Sequence, residues 1–159
     1  MPPNAASSDE LADWHMHSVL VVDDEPGMVN FLRRALAARC GVLDSAGDVA
    51  SAAALLQRQH YDLIILDPPA FAKHRDARHQ AVKGYQRLNA EAMKVIRKGG
   101  ILFTFSCSQV VDRQLFYDTV VSAAIQAGRD VKVLYQLTQS PDHPVSMFHP
   151  EGEYLKGLV

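Results

Sequence analysis

The amino-acid sequence predicts an α/β protein built on a three-layer, doubly wound, mostly parallel sheet. Three observations carry that expectation. Leu63-Ile64-Ile65-Leu66 is an uninterrupted apolar run of strand length, the pattern of a strand buried on both faces. Val19-Leu20-Val21-Val22 and Ile101-Leu102-Phe103-Thr104-Phe105 repeat that pattern, with helically spaced apolar residues between the runs, as right-handed crossovers require. Each run ends in reactive or turn-forming residues: Asp23-Asp24, Asp67-Pro68-Pro69, and Ser106-Cys107-Ser108. Parallel sheets bind ligands at that edge.

Taken in order, residues 1–17 lack periodicity and are expected to form a flexible tail, followed by one α/β domain over residues 18–159. After the first strand, Pro26 suits the first position of a helix bearing Met28, Phe31, Leu32, Ala35 and Leu36. Val42-Leu43 predicts a short second strand, and Asp48 the N-cap of a helix with Ala52, Leu55 and Leu56 inside. The central strand follows, and Pro68 and Pro69 stop it because neither donates a backbone hydrogen bond. Residues 72–82 read as a basic loop or frayed helix. Residues 85–97 read as a helix with Leu88, Ala92, Val95 and Ile96 buried, closed by Lys98-Gly99-Gly100. A helix carrying Leu115, Val120, Ala124 and Ile125 ends at Gly128. Strands are expected over residues 131–137 and 154–159, the last antiparallel. The expected strand order is 2-1-3-4-6-5.

The chain has 159 residues, enough for one domain that buries roughly 70% of its unfolded surface. No apolar run approaches the ~20 residues of a membrane span, and the polar N-terminus is no signal peptide. Two cysteines, Cys40 and Cys107, fit no metal spacing, so a reduced, cytoplasmic protein is expected. His74 and His79 have no third ligand placed with them, which argues against zinc. Residues 1–67 carry ten acidic and four basic side chains, and residues 68–159 eight and twelve. That asymmetry suggests halves with different partners.

The acidic groups at the first and third strand ends, Asp23, Asp24 and Asp67, would meet if those strands are neighbours. Clustered carboxylates favour a hard divalent cation, so the sequence admits Mg²⁺ there. Val19-Leu20-Val21-Val22-Asp23-Asp24-Glu25, Gly47-Asp48 and Tyr61-Asp62-Leu63-Ile64-Ile65-Leu66-Asp67 resemble a response-regulator receiver domain. That resemblance covers residues 18–67. It implies a flavodoxin-like fold, Asp67 as the phosphoacceptor of a phosphorelay, Asp23, Asp24 and Asp67 as Mg²⁺ ligands, and a histidine kinase as partner.

A second resemblance covers residues 62–159. Asp67-Pro68-Pro69-Ala70-Phe71, Gly84-Tyr85, Gly99-Gly100-Ile101-Leu102, Thr104-Phe105-Ser106-Cys107-Ser108, Ala127-Gly128-Arg129-Asp130, Asp142-His143-Pro144-Val145 and Pro150-Glu151-Gly152-Glu153-Tyr154-Leu155-Lys156-Gly157 occur in sequence. They resemble the C-terminal half of a class I S-adenosylmethionine-dependent methyltransferase, of the type that methylates cytosine-5 in large-subunit ribosomal RNA. This resemblance implies a Rossmann-like fold, Cys107 as nucleophile toward C6 of cytosine, and Asp67, Pro68 and Pro69 facing the target base. Lys73, Arg75 and Arg78 would then contact RNA phosphates.

The family places its methyl donor on a glycine-rich turn after the first strand, with an acidic residue after the second strand on the ribose. Here that turn is Asp23-Asp24-Glu25-Pro26-Gly27, and Asp44 reads as a loop aspartate rather than a ribose ligand. The sequence thus argues against S-adenosylmethionine. The two resemblances meet within residues 62–67. The expectation is an engineered chimera, a flavodoxin-like/Rossmann-like hybrid joined in its central strand, without an evolved activity. The alternatives are a phosphorylatable receiver-like module and a methyltransferase remnant acting through Cys107.

Overall fold

Tyr61–Asp67 forms β3, the strand at the middle of a six-stranded sheet. The computed structural model describes residues 15–71, 75–149 and 152–159. β1 is Ser18–Asp23, β2 Val42–Ala46, β4 Ile96–Ser106, β5 Gln136–Leu137 and β6 Lys156–Leu158. The order is β2-β1-β3-β4-β6-β5, as expected. β1, β2, β3 and β4 pair in parallel, and β6 runs antiparallel to both β4 and β5. β1 is buried along its whole length because it lies between β2 and β3.

Side-chain alternation separates two layers of helix. Leu20, Val22, Ile64 and Leu66 point to one face and pack with Ala52, Leu56, Leu88 and Ala92. These last four belong to α2 (Val49–Leu56) and α3 (Arg78–Val95). α4 (Arg113–Ala127) continues that layer, packing Phe116, Val120 and Ala123 against Ala81, Tyr85 and Met93 of α3. Val19 and Val21 point the other way and meet Leu32 and Leu36 of α1 (Pro26–Leu36). Each fully buried Leu or Ile contributes about 1.5–3 kcal/mol relative to exposure.

Several helix ends form as anticipated. Asp48 caps α2 by accepting from the Ser51 N–H at 2.8 Å. Pro26 opens α1. Gly128 closes α4 at φ 65°, the left-handed conformation that glycine adopts without a Cβ clash. Asp112 caps α4 through the Leu115 N–H at 2.8 Å.

Other expectations need correction. α3 begins at Arg78, well before Tyr85, and ends at Val95 because Ile96 is already extended and pairs with Tyr61. The Lys98-Gly99-Gly100 segment is therefore not a turn after the helix but an irregular part of β4, with Gly99 at φ 82°. The expected strand over residues 131–137 shrinks to Gln136–Leu137, which pair with β6; Leu134 and Tyr135 bond only the backbone of Val159, just past it. Phe31 is 65% exposed and Met28 42%, so only part of the apolar set on α1 reaches the sheet. Ile125 likewise faces outward, at 76% exposure. The expected tail, with Trp14, falls mostly outside the described residues.

Asp62 ties β3 to β1. Its Oδ2 accepts from the Ser18 N–H at 2.8 Å and the Ser18 hydroxyl at 2.9 Å. Burial pushes this carboxyl up, but the Ser18 donors and Arg97 outweigh it and hold it below its usual range. Tyr61 donates to Asp44 Oδ2 at 2.8 Å, locking β3 to β2 across the intervening β1.

Ile64→Ala should cost about 2–5 kcal/mol in urea unfolding, because it empties a fully buried position. Phe31→Ser should change stability by less than about 0.5 kcal/mol, since that ring is mostly in water. Equal costs would refute this assignment of the core.

Candidate active site

The C-terminal ends of β1, β3 and β4 lie along one edge because the three strands are parallel neighbours. Asp23 and Asp67 are register partners there. Asp23 is buried, and its Oδ1 accepts from the Glu25 N–H at 2.8 Å. Burial raises its pKa, and the neighbouring Asp24 and Glu25 charges add to that rise. Asp67 is half-buried, and its pKa is pushed up to about 6, first by burial and then by the charges of Asp23 and Asp24. The three carboxylates thus share one field, as expected. Among the described residues, however, no three His, Cys, Asp or Glu side chains gather as a metal-binding group.

Pro68 is buried directly after Asp67, and Pro69 is exposed. Lys73 lies outside the described residues. Arg75 opens a short 3-10 turn, Arg75–Ala77, that leads into α3. Arg78 is exposed and lies 3.8 Å from Asp112. Asp44 sits within β2 with its Oδ2 engaged by Tyr61 and Gln59, which leaves it a structural role.

Cys107 follows the last residue of β4 and is half-buried, whereas Cys40 is buried beneath α1; both are free thiols. Burial pushes the Cys107 thiol up, and the Asp67 charge pushes it further; Lys156 acts in the opposite direction. Ser106 and Ser108, flanking the thiol, are buried, and the Ser108 N–H donates to the Ser106 hydroxyl at 3.3 Å. Phe71, Tyr85 and Phe116 stack edge-to-face behind this turn, with centroid separations of 4.7 and 5.6 Å.

Two participants escape a reading by residue type. The Tyr85 hydroxyl is fully buried beside Ser106 and Phe71, and it lies close enough to Cys107 and Asp67 to sense their charges. Lys156 is buried within β6 opposite Ser106. Its sequence signals are its place in the motif ending Tyr154-Leu155-Lys156-Gly157 and its position inside the apolar run Tyr154-Leu155-Lys156-Gly157-Leu158-Val159. A cavity of about 400 Å³ lies elsewhere, at the N-terminal end of β4 under residues 129–134, and contains none of these groups.

No family model matches the chain. Ribosomal RNA large subunit methyltransferase I of Pseudoalteromonas atlantica is 47% identical over 103 residues, covering 65% of this chain and 26% of that protein. The proteins of the same name from Aeromonas salmonicida and Shewanella amazonensis are 44% and 46% identical, covering 64% and 62% of this chain and 26% and 25% of theirs. The chain thus spans about a quarter of the length of these curated relatives. Among solved structures, SMU.776, assigned as a methyltransferase and crystallised with SAH, superposes with a TM-score of 0.60 at 17% identity. It covers 94% of this chain and 47% of its own. A protein from Streptococcus mutans assigned as a SAM-dependent methyltransferase gives 0.65 at 16% identity, over 94% and 46%. The two confirm the three-layer α/β fold.

The resemblance of the C-terminal half to a SAM-dependent rRNA methyltransferase is therefore supported, and two expectations are overturned. The chain is not explained as an engineered chimera: relatives across almost two thirds of it are rRNA methyltransferases, and methyltransferase structures match 94% of it. No comparison shows a receiver-like part, so a phosphorelay role for Asp67 and a histidine-kinase partner find no support there. The expectation against S-adenosylmethionine is overturned by the same relatives and by the neighbour that holds SAH. The physical error was to weigh one turn, residues 23–27, above the motifs of the longer segment. Regarding membranes, no helix among the described residues is long and apolar enough to cross one.

The carboxylate at β3 makes stability depend on pH. Asp67 binds its proton more tightly folded than unfolded, so stability falls as pH rises from about 4 through about 6. Asp67→Asn should flatten that fall and leave the protein more stable than the parent at pH 7.5, with Asp23 supplying the remaining slope. Thermal midpoints between pH 4.5 and 8 check this; an unchanged slope contradicts the assignment.

Proposed function

We propose that this chain is the nucleophile-bearing part of an S-adenosylmethionine-dependent methyltransferase that modifies cytosine-5 in large-subunit ribosomal RNA, working from one α/β domain over residues 18–159. The observation that carries the reading is the position of Cys107. It is a half-buried free thiol at the end of β4, beside the Asp67-Pro68 end of β3. The printed names of the curated relatives supply the substrate class.

The chemistry suits those residues. C5 of cytosine is a poor nucleophile until a group adds to C6, and a thiolate adds and leaves readily. Cys107 in its thiolate form bonds to C6, and the electron pair displaced from the C5–C6 double bond makes C5 reactive. After methylation, loss of the C5 proton and expulsion of the thiolate restore the ring. Asp67, ionised above about pH 6, is the site's proton acceptor. Tyr85 stands buried behind the thiol and supports the turn that presents it. Pro68 and Pro69 form the wall after Asp67, and Lys73 and Arg75 supply positive charge for the RNA backbone.

The methyl donor supplies an electrophilic methyl group on a sulfonium centre. The crevice between the ends of β1 and β3 fits its cationic groups, because Asp23 and Asp67 there are desolvated carboxylates that a positive charge would relieve. Its carboxylate would not be met by the Glu25 N–H, which Asp23 already occupies.

RNA carrying 5-fluorocytosine, incubated with the protein and S-adenosylmethionine, tests the reading. The wild type should form an adduct that survives denaturation, because fluorine at C5 cannot leave as a proton does. Cys107→Ala should lose at least about 10³-fold of adduct formation, within the range for removing a nucleophile. No adduct and no heat on titrating the donor into wild type would refute the proposal.

A further inference from the structure

Lys156 is 6% exposed, yet it carries an ammonium group. Its Nζ donates to two neutral acceptors, the Ser108 carbonyl at 2.8 Å and the Tyr154 carbonyl at 2.7 Å. Among the described residues no carboxylate forms an ion pair with it. A buried charge without an opposite partner carries a desolvation cost that an apolar residue of similar size would avoid. β6 is otherwise apolar at this point, with Leu158 in the core. The neighbours that determine the lysine's field are Cys107, Arg113 and Asp112. Those that determine the thiol's are Asp67, Asp24 and Lys156, with Tyr85 behind.

The geometry is specific. Lys156 stands opposite Ser106 in the β4–β6 ladder and reaches past it to the carbonyl of Ser108. The residue between those two is Cys107. The ammonium thus spans the turn that presents the thiol, and Cys107, ahead of the more weakly acting Asp112, is the group whose anion it would face.

We propose that Lys156 is the positioning residue of Cys107: it fixes the turn over residues 106–108 through its bond to the Ser108 carbonyl and supplies the positive charge that a Cys107 thiolate needs. This rests on the reading of Cys107 as the nucleophile, but its test does not. Burial and Asp67 oppose thiolate formation and hold the thiol above its usual range, and Lys156 is the cation that acts against them. A hydrogen-bonded but uncharged side chain could hold the turn; only a cation could also favour the anion.

The test is the pH dependence of iodoacetamide labelling at Cys107, followed by peptide mass so that Cys40 does not interfere. Lys156→Met should move the labelling profile up by about one pH unit, a roughly tenfold lower rate at pH 8, and Lys156→Arg should restore most of it. A folded Lys156→Met protein whose profile overlays the wild type overturns the proposal. A second arm leaves the lysine in place and holds whether or not that variant folds. The Lys156 ¹³Cε resonance of wild type should show an inflection at the pH where Cys107 ionises, and Cys107→Ser should lack it; no inflection in wild type also overturns the proposal. Loss of the RNA adduct with this coupling intact would instead count against the methyltransferase reading alone.

Discussion

The parallel pairing of β3 with β4 determines where every reactive group in this molecule stands. Leu63 to Leu66 lie beside Ile101 to Thr104, residue against residue. Because both strands run the same way, both end at the same edge, and Asp67 and Cys107 emerge together although forty positions separate them in sequence. Parallel strands cannot be joined by a tight turn, so a crossover must return the chain to the starting edge. α3 makes that return, and it brings Tyr85 under the thiol. Backbone pairing, helix packing and site composition are therefore one geometric problem with one solution.

Charge at that edge is balanced between opposing demands. Burial and mutual repulsion make both Asp67 and the Cys107 thiol weaker acids than usual. Among the described residues the one buried cation near them belongs to β6, a strand only three residues long that reverses direction to pair with β4. An antiparallel strand at this place lets a side chain near its start reach the C-terminal end of β4, where a parallel strand would present its last residues instead. The direction of β6 is thus a functional property as much as a topological one.

Much of this was readable from residues. The apolar runs, Asp48 as a cap, Gly128 as a stop and the strand order rest on local rules that tertiary context did not override. Failures came where a non-local partner decided. Residues 131–135 have strand composition, but β6 pairs with Gln136 and Leu137, and past it only Val159 bonds the backbone of Leu134 and Tyr135. Phe31 has helical spacing, but the sheet beneath α1 does not reach it. At the site, Cys107 and Asp67 drew attention because each ends an apolar run and sits in a motif that resembles a known family. Lys156 and Tyr85 also lie in such motifs, but no role was read for them, because a lysine and a tyrosine on a helix are ordinary until burial is known. The turn over residues 23–27 misled in the other direction: its carboxylates drew attention away from the more extensive motifs that follow.

The irregularity in β4 has one more effect. From Tyr61 to Leu63 β3 advances two positions, while β4 goes from Ile96 to Ile101, so surplus chain is taken up locally around Gly99. Gly99 has open space around it, whereas Gly100 is pressed against the Asp62 carbonyl. This segment works as an expansion joint: slack is stored before the regular ladder starts, and the ladder itself is anchored at Gly100. Insertions or deletions drifting into the backbone near Gly99 would be swallowed there, whereas one lost or gained residue beyond Leu102 would turn the thiol toward the opposite side of the sheet.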